Sequence, residues 1–543
     1  MKEYQLTLRS ILERAEMLFP KKEILSRTAT KYVRYTYGDF ARRTRRLSSS
    51  LQALGVQRGD RVATFAWNDH RHLEAYFAIP CMGAVLHTVN IRLPDEHIIH
   101  ILNHAEDRFL LIDETLLPII QRIQTKLTTI EGFIIMTDRD ALPSTDLYPV
   151  YSYEQLVADA DPSYDYPLDI DESAPAGMCY TSATTGNPKG VVYSHRAIYL
   201  HCMTLGLADT LGLSEKDTVM PIVPMFHVNA WGLPFASVWF GSKQVLPGPM
   251  PTPELLLNLI AEEKVTISAG VPTVWIAALK IMEQKTFDLS HVRALICGGS
   301  AAPRSIIEKF EYHHGIPFYH AYGLTETSPL VTCSRVKSDL ETLTKDELLD
   351  IRATQGLLVP GLEMKVVGAN GPAAWDGKEM GELLLRGPWI VDEYYKDERT
   401  QDSFKDGWFH TGDIAVVDSE GYVKLVDRSK DVVKSGGEWI SSVDLENEFM
   451  AHHAVFEACV VGIPHAKWSE RPLACVVLKD AVNQPVSKEE LLEFVGRRFA
   501  KWWVPDDVIF LTEIPKTSVG KFLKRALRET YQGHYTSDEE VVQ

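Results

Sequence analysis

Apolar positions in the opening part of the chain fall into two alternating kinds of cluster. Dense short runs at 61–66 and 108–112 read as buried strands, and between them 70–82 carries apolar residues at helical spacing. The alternation resumes further on, with helices expected over 253–263 and 271–282, strands over 265–269 and 293–297, and a helix running through Phe310. Such a pattern predicts layered α/β sheets. The strand at 293–297 leads into Gly298-Gly299-Ser300 and then a helix start, a combination that makes a ligand-binding edge.

Beyond about Gln355 the pattern shortens to strands at 363–367 and 381–386 and a hairpin over 413–426 that turns at Asp418-Ser419-Glu420-Gly421, which predicts a small β-rich subdomain. The charged stretch 427–431 reads as a hinge. After it come a helix at 443–450, strands near Cys459 and Cys475, and a helix opening at Ser487-Lys488-Glu489-Glu490 with capping-box spacing. The predicted fold class is α/β. A large N-terminal body over 1–426, built of layered α/β sheets plus the small β-rich subdomain, is followed by a hinge over 427–431 and a smaller, mobile C-terminal α/β domain over 432–543.

Composition narrows the partners. The 543 residues are 45% hydrophobic and 24% charged, the profile of a globular chain, and the formal charge of −17 leaves no cationic excess for binding nucleic acid. Seven scattered cysteines without a C-x-x-C pair suggest neither a disulfide frame nor a zinc site, which fits the cytoplasm. The N-terminus is charged at once and leads into an amphipathic segment, 8–19, rather than a signal-peptide core. From Thr218 to Ser242 there is no Asp, Glu, Lys or Arg, yet Pro221, Pro224, Pro234, His227 and Asn229 disqualify a lipid-facing helix. That segment is expected to be buried chain or the wall of an apolar cavity.

The stretch Tyr180-Thr181-Ser182-Ala183-Thr184-Thr185-Gly186-Asn187-Pro188-Lys189-Gly190 has little to bury and lies between two apolar runs, so it reads as a turn between strands. Small residues let backbone N–H groups approach an anion, Ser182, Thr184 and Thr185 add hydroxyl donors, Gly186 adds freedom, and Lys189 adds charge. Lys189 is followed by Gly190, so this is not a Walker A loop. A second cluster, Tyr319-His320-Ala321-Tyr322-Gly323-Leu324-Thr325-Glu326, offers an aromatic ring for a base, a hydroxyl for phosphate and, in Glu326, a carboxylate of the kind a hard cation prefers. Asp413, in Trp408-Phe409-His410-Thr411-Gly412-Asp413, can accept two hydroxyl hydrogen bonds. Each motif alone also has an ordinary structural use as a loop, a helix cap, a strand end or a basic surface.

Together and in this order, the motifs resemble the acyl-adenylate-forming superfamily of acyl-CoA synthetases, beetle luciferases and peptide-synthetase adenylation domains, and the resemblance covers nearly the whole chain. It implies that Thr181 and Glu326 hold Mg²⁺ beside ATP. It also implies that Gly299, Ser300, His320, Ala321, Tyr322, Thr325, Asp413, Arg428 and Lys430 join the phosphate turn around ATP or AMP, and that Asp427 is the pivot. The family usually has glycine at Ala183, and often glutamine and glycine at His320 and Ala321.

His227-Val228-Asn229-Ala230-Trp231 looks like bacterial fatty acyl-CoA synthetases, in which such a tryptophan gates an acyl tunnel; Val228 and Trp231 are the expected gate residues. Lys434-Ser435-Gly436-Gly437-Glu438-Trp439 is similar to the family's loop for CoA, and Lys521 fits its mobile catalytic lysine, with Lys189 and His227 as further electrostatic contributors. The implied reaction joins a fatty acid to CoA through an acyl-adenylate, with ATP, Mg²⁺ and CoA required. A homodimer is expected by the same resemblance; no transmembrane segment is expected, so that any membrane contact is peripheral. An aryl or short-chain acid:CoA ligase, a luciferase-like oxidase and a non-catalytic acyl-nucleotide sensor remain as alternatives at this stage.

Overall fold

A computed structural model describes residues 4–181, 187–368, 370–436, 438–479, 486–517 and 521–535. The predicted alternation is present. Arg61–Phe65, Asp107–Asp113, Ile267–Gly270 and Ala294–Cys297 are strands, while His70–Cys81, Pro253–Glu262 and Pro272–Met282 are helices. The expected helix through Phe310 is shorter, Arg304–Glu308, and continues as a π-helical turn over Lys309–His313. Ser487 caps the next-to-last helix by accepting from the Glu490 N–H, which is one half of the expected capping box.

Among the described residues the strands form four sheets. A seven-stranded sheet is parallel except at one edge, where Pro175–Tyr180 pairs antiparallel with Gly190–Ser194. A nine-stranded sheet has a parallel centre and includes Thr218–Pro221, Ala294–Cys297 and Phe318–Gly323. The predicted β-rich part is an antiparallel sheet containing Glu363–Gly368, Gly381–Arg386, Trp408–Val417 and Val423–Arg428. A last sheet runs from Val433 to Phe510 and carries helices Ser442–Ala451, Lys488–Gly496 and Lys524–Tyr531.

Helix His70–Cys81 lies within the packed interior of the body, and every one of its residues is buried although His70, Arg71, His72 and Glu74 are polar. Each polar group therefore needs an internal partner. Arg71 donates to Glu154 and Asp138, Glu74 accepts from Arg43 and the Tyr153 hydroxyl, and His72 bonds Thr64 and the Trp67 carbonyl. The uncharged segment after Thr218 becomes a strand, a tight turn and the helix Leu233–Phe240. No helix among the described residues is long and apolar enough to cross a membrane.

Buried neutral histidines recur through this body. Burial pushes His201 down to about 3 and His72, His195 and His320 down to about 4, from an ordinary 6.5. In the unfolded chain these rings take a proton below pH 6.5, whereas in the folded chain they stay neutral until the pH nears their depressed values. Their stabilising share is thus complete above 6.5 and is lost as pH falls. Replacing His201 by a non-titrating residue isolates one of them. Relative to the parent, His201→Gln should gain about 1.4 kcal/mol per pH unit between pH 6.5 and 4, read from urea unfolding; a pH-independent difference would contradict the assignment.

Candidate functional site

The strand pair Pro175–Tyr180 and Gly190–Ser194 brings the two ends of the predicted phosphate turn together. The Thr181 N–H donates to the Lys189 carbonyl at 2.9 Å, and the Lys189 N–H donates to Thr181 Oγ1 at 3.1 Å. Ser182, Ala183, Thr184, Thr185 and Gly186 lie outside the described residues. Lys189 points its ammonium at the face of Tyr394, 4.0 Å from the ring centre. Burial lowers its pKa, opposed by the charge of Glu326.

Across from this turn, strand Phe318–Gly323 delivers Tyr322, and the short 3-10 turn Thr325–Thr327 delivers Glu326. The hairpin after Trp408 sets Asp413 and Arg428 opposite one another in register, and the Arg428 Nε donates to Asp413 at 2.6 Å. The Tyr322 hydroxyl donates to the other Asp413 oxygen at 2.6 Å. Burial and Asp413 hold the Tyr322 pKa well above 10, while Asp413 raises that of Arg428. One carboxylate thus joins a ring and a permanent cation. Glu326 accepts from the Tyr394 hydroxyl at 2.7 Å.

His227 precedes a backbone feature that the sequence did not announce. Val228, Asn229, Ala230 and Trp231 all have positive φ, 45°, 52°, 47° and 58°, followed by Gly232 at 76°. This is a left-handed turn, which costs about 1–2 kcal/mol for each non-glycine residue. Gly232 has a second constraint, since a Cβ there would lie 2.7 Å from the His201 ring. The turn places the Trp231 indole against Gly298 and Gly299. A Cβ at Gly298 would lie 3.1 Å from that indole and 2.7 Å from the Ala321 carbonyl oxygen. Burial first, then Lys521 and Arg92, lowers His227 to about 3, so it is a neutral imidazole at pH 7.

Lys521 enters the same space from the C-terminal sheet's side. Its Cε lies 4.0 Å from the position a Gly299 Cβ would take. Burial and Arg428 depress its pKa to about 8, opposed by Asp413 and Glu326. Its backbone closes a turn with Thr517, whose N–H donates to the Lys521 carbonyl at 2.7 Å. Lys524, three residues on, is seated by Glu446 at 2.9 Å and Asp427 at 3.9 Å, and hydrogen-bonds Ser442, which in turn bonds Asp427. Lys516 pairs with Glu457. Lys516 and Lys524, which flank Lys521 in the sequence, are therefore both committed to carboxylates.

These residues line one cavity of about 510 Å³ that includes Thr181, Lys189, His227, Val228, Trp231, Gly299, Ala321, Tyr322, Thr325, Glu326, Arg428, Lys430 and Lys521. Leu205, Leu211, Leu233, Ile296 and Leu330 contribute apolar lining to it. A second chamber of about 250 Å³ shares Gly299, Tyr322, Arg428 and Lys521 and adds Ser300, His320, Asp413 and Asp427. His320 lines this second chamber with its ring already partnered: Nδ1 bonds the Ala353 carbonyl and Nε2 accepts from the Ala302 N–H. Lys434, Gly436 and Trp439 lie on the hairpin Val433–Ser435 and Glu438–Ile440, outside both linings; Trp439 is exposed and Gly436 rests on Trp468. Gly437 lies outside the described residues. Sequence reasoning missed Tyr394 and Glu382, both on the cavity wall, and no spacing in their neighbourhoods marks them.

The cavity brings together apolar side chains, the Thr181 and Lys189 ends of the expected phosphate turn and the Glu326 carboxylate, with Asp413 in the adjoining chamber, the arrangement expected of a nucleotide-dependent enzyme of the adenylate-forming class. Residues 12–395 match the AMP-binding enzyme family and 444–521 match the AMP-binding enzyme C-terminal domain, and the chain belongs to this family. It is 51% identical over 539 residues to the long-chain-fatty-acid–CoA ligase of Thermus thermophilus, covering 98% of this chain and 97% of that one. It is 41% identical over 529 residues to the medium-chain-fatty-acid–CoA ligase of Ectopseudomonas oleovorans, covering 97% and 96%. The solved structure of the anthranilate CoA ligase AuaEII in complex with anthranoyl-AMP superposes with a TM-score of 0.87 at 25% identity, covering 99% of each chain.

A methyl group at Gly298 must displace either Trp231 or the Ala321 carbonyl. Gly298→Ala should lose about 1–3 kcal/mol of stability and shift tryptophan emission, and the emission shift should vanish in a Trp231→Phe background. An emission shift that persists there would place the displaced ring elsewhere.

Proposed function

We propose that the chain is an AMP-forming fatty acid:CoA ligase. The observation that carries the reading is that Lys521 shares one cavity with Lys189 and Glu326, and that Leu205, Leu211, Leu233, Ile296 and Leu330 line the same cavity. The fatty carboxylate attacks the ATP α-phosphorus, pyrophosphate leaves, and acyl-AMP forms. The CoA sulfur then attacks the acyl carbon, the carbon–oxygen bond to AMP breaks, and AMP leaves. Neither step needs a protein nucleophile, so orientation carries much of the rate; holding reactants in line is worth up to roughly 7–11 kcal/mol.

The side chains divide the work. Thr181, Ser182, Thr184, Thr185, Gly186 and Lys189 hold the phosphates, and Thr325 and Lys430 extend that hold. Asp413 accepts the ribose hydroxyls while Arg428 and the Tyr322 hydroxyl keep its carboxylate aimed; Tyr322, Ala321, Gly299 and Ser300 bound the adenosine. Thr181 and Glu326 would hold Mg²⁺. Among the described residues no cluster of three or more acidic, histidine or cysteine side chains is suited to a metal, which agrees with an ion held by one carboxylate plus substrate phosphates. When bound, that ion neutralises phosphate charge. His227 donates a hydrogen bond from its neutral ring, and Val228 and Trp231 gate the part of the cavity lined by apolar side chains, where each buried methylene of a long- or medium-chain acid contributes about 0.8 kcal/mol.

Residues 1–426 act as the body, 427–431 as the hinge and 432–543 as the mobile domain. One orientation presents Lys521; another turns Lys434, Gly436, Gly437 and Trp439 toward CoA. The position of that hairpin outside the cavity supports two orientations rather than one. The reading extends to a cytoplasmic enzyme that associates as a homodimer and touches membranes only peripherally. Seven unpaired thiols support the first part, and exposed Tyr4, Met17, Leu18, Met203 and Leu207 on the N-terminal body support the second.

The direct test is acid-dependent formation of AMP and acyl-CoA over a series of chain lengths. Lys521→Ala should lower ATP–pyrophosphate exchange about 10²–10³-fold, the scale of removing one transition-state donor, and no acid-dependent AMP from the parent would reject the reading. Lys521 must be cationic to bridge carboxylate and α-phosphate. With a free-enzyme pKa of about 8, exchange measured as kcat/KM should fall as pH rises through that value, and Lys521→Arg should remove the limb. Asp427→Pro removes both a rotatable φ and a carboxylate that seats Lys524, so thioester formation should fall further in it than in Asp427→Asn, which alters only the carboxylate; equal thioester losses in the two variants would exclude a pivot there.

A further inference from the structure

A cavity that holds both Lys189 and Glu326 faces a problem before substrate arrives. Opposite charges in a partly buried cavity attract, and a lysine paired with that glutamate would be unavailable to phosphate while the glutamate would be unavailable to a cation. The charges do sense each other, since Glu326 raises the Lys189 pKa. Yet among the described residues Lys189 forms no ion pair. Tyr394 engages both instead. Its hydroxyl donates to Glu326 Oε1 at 2.7 Å, and its ring face receives the Lys189 ammonium at 4.0 Å.

The segment bearing Tyr394 is anchored on each side. The Val391 N–H donates to the Glu326 carbonyl at 3.0 Å, and the Tyr395 N–H donates to the Gly190 carbonyl at 2.9 Å. Arg399 donates to the Asn187 carbonyl and is itself held by Asp397. Tyr394 is only 4% exposed, so its ring has little freedom to leave either partner. A ring face gives an ammonium an attractive resting place that a phosphate outbids, and a neutral hydroxyl orients a carboxylate without discharging it.

We propose that Tyr394 is a positioning residue that keeps Lys189 and Glu326 apart and so holds the phosphate lysine and the metal carboxylate ready for Mg·ATP. This rests on the ligase reading only as far as nucleotide binding; neither acid nor CoA enters the argument. The decisive readout is binding rather than turnover: calorimetric titration of the full chain with Mg²⁺ and a non-hydrolysable α,β-methylene ATP analogue.

Tyr394→Phe keeps the ring but frees Glu326, and it should weaken binding of the Mg·analogue about tenfold, with the loss confined to titrations containing Mg²⁺. In a Lys189→Met background, where no competing ammonium remains, the same change should cost less than about twofold. Tyr394→Leu, which also removes the ring, should lose more than Tyr394→Phe only when Lys189 is present. Equal losses in both backgrounds would mean that Tyr394 merely shapes the wall, and no loss in either would remove it from nucleotide binding; both results overturn the inference while leaving the ligase reading intact. A parent chain that fails to bind the analogue at all would overturn both.

Discussion

The seating of Lys524 is the constraint on which the site depends. An ammonium in this largely buried position is tolerable only because Glu446, Asp427 and Ser442 surround it, and although burial works against its charge, Asp427 and Glu446 outweigh burial and raise its pKa. Removing one partner from such a buried group costs about 3–5 kcal/mol. The geometry joins three parts of the chain: Asp427 ends the antiparallel sheet of the body, Ser442 and Glu446 open the first helix of the C-terminal unit, and Lys524 begins its last. Lys521 lies one turn before that anchor. The Arg528–Asp431 and Lys424–Asp444 pairs reinforce the same seam from more exposed positions and add little by themselves.

Inside the cavity, polar and apolar requirements meet at two glycines. Gly298 and Gly299 leave room for the Trp231 indole and the Lys521 stem, so an apolar ring and a charged side chain meet at the same pair of glycines. That closeness suits a reaction at the junction of a hydrocarbon chain and a phosphate. The cost appears next door, in the left-handed turn from Val228 to Trp231, where backbone strain accompanies the placement of the ring. Lowered pKa values at Lys189, His227 and Lys521 share one main cause, burial in that common space.

Much of the fold was legible because its signals are local. Strand and helix periods survive along the body, and the turn at Thr181–Lys189 sits between two apolar runs that pair as expected. The site clusters were legible as strings: Tyr322, Glu326, Asp413 and Lys521 do converge. What escaped is what depends on tertiary partners. Helix His70–Cys81 carries four polar side chains and is still wholly buried, because Arg43, Glu154 and Asp138 arrive from distant segments. Lys524 has the look of a surface lysine until Glu446 and Asp427 are placed beside it. His320 sits within a nucleotide-like string yet spends its ring on the Ala353 carbonyl and the Ala302 N–H. The left-handed turn has no glycine before Gly232, so nothing in its residue types foretells it. Tyr394 lies 68 residues from Glu326 and in no recognisable spacing with it.

The central claim is that the Lys524 anchor sets Lys521 in the cavity for the first half-reaction and is dispensable for the second. Lys524→Met, compared with the parent in single-turnover assays, separates the two by measuring acyl-adenylate formation from ATP and acid, and thioester formation from supplied acyl-AMP and CoA. The account predicts a large fall in the first rate with the second kept within a few-fold. Equal falls in both, or an undiminished first rate, would contradict it.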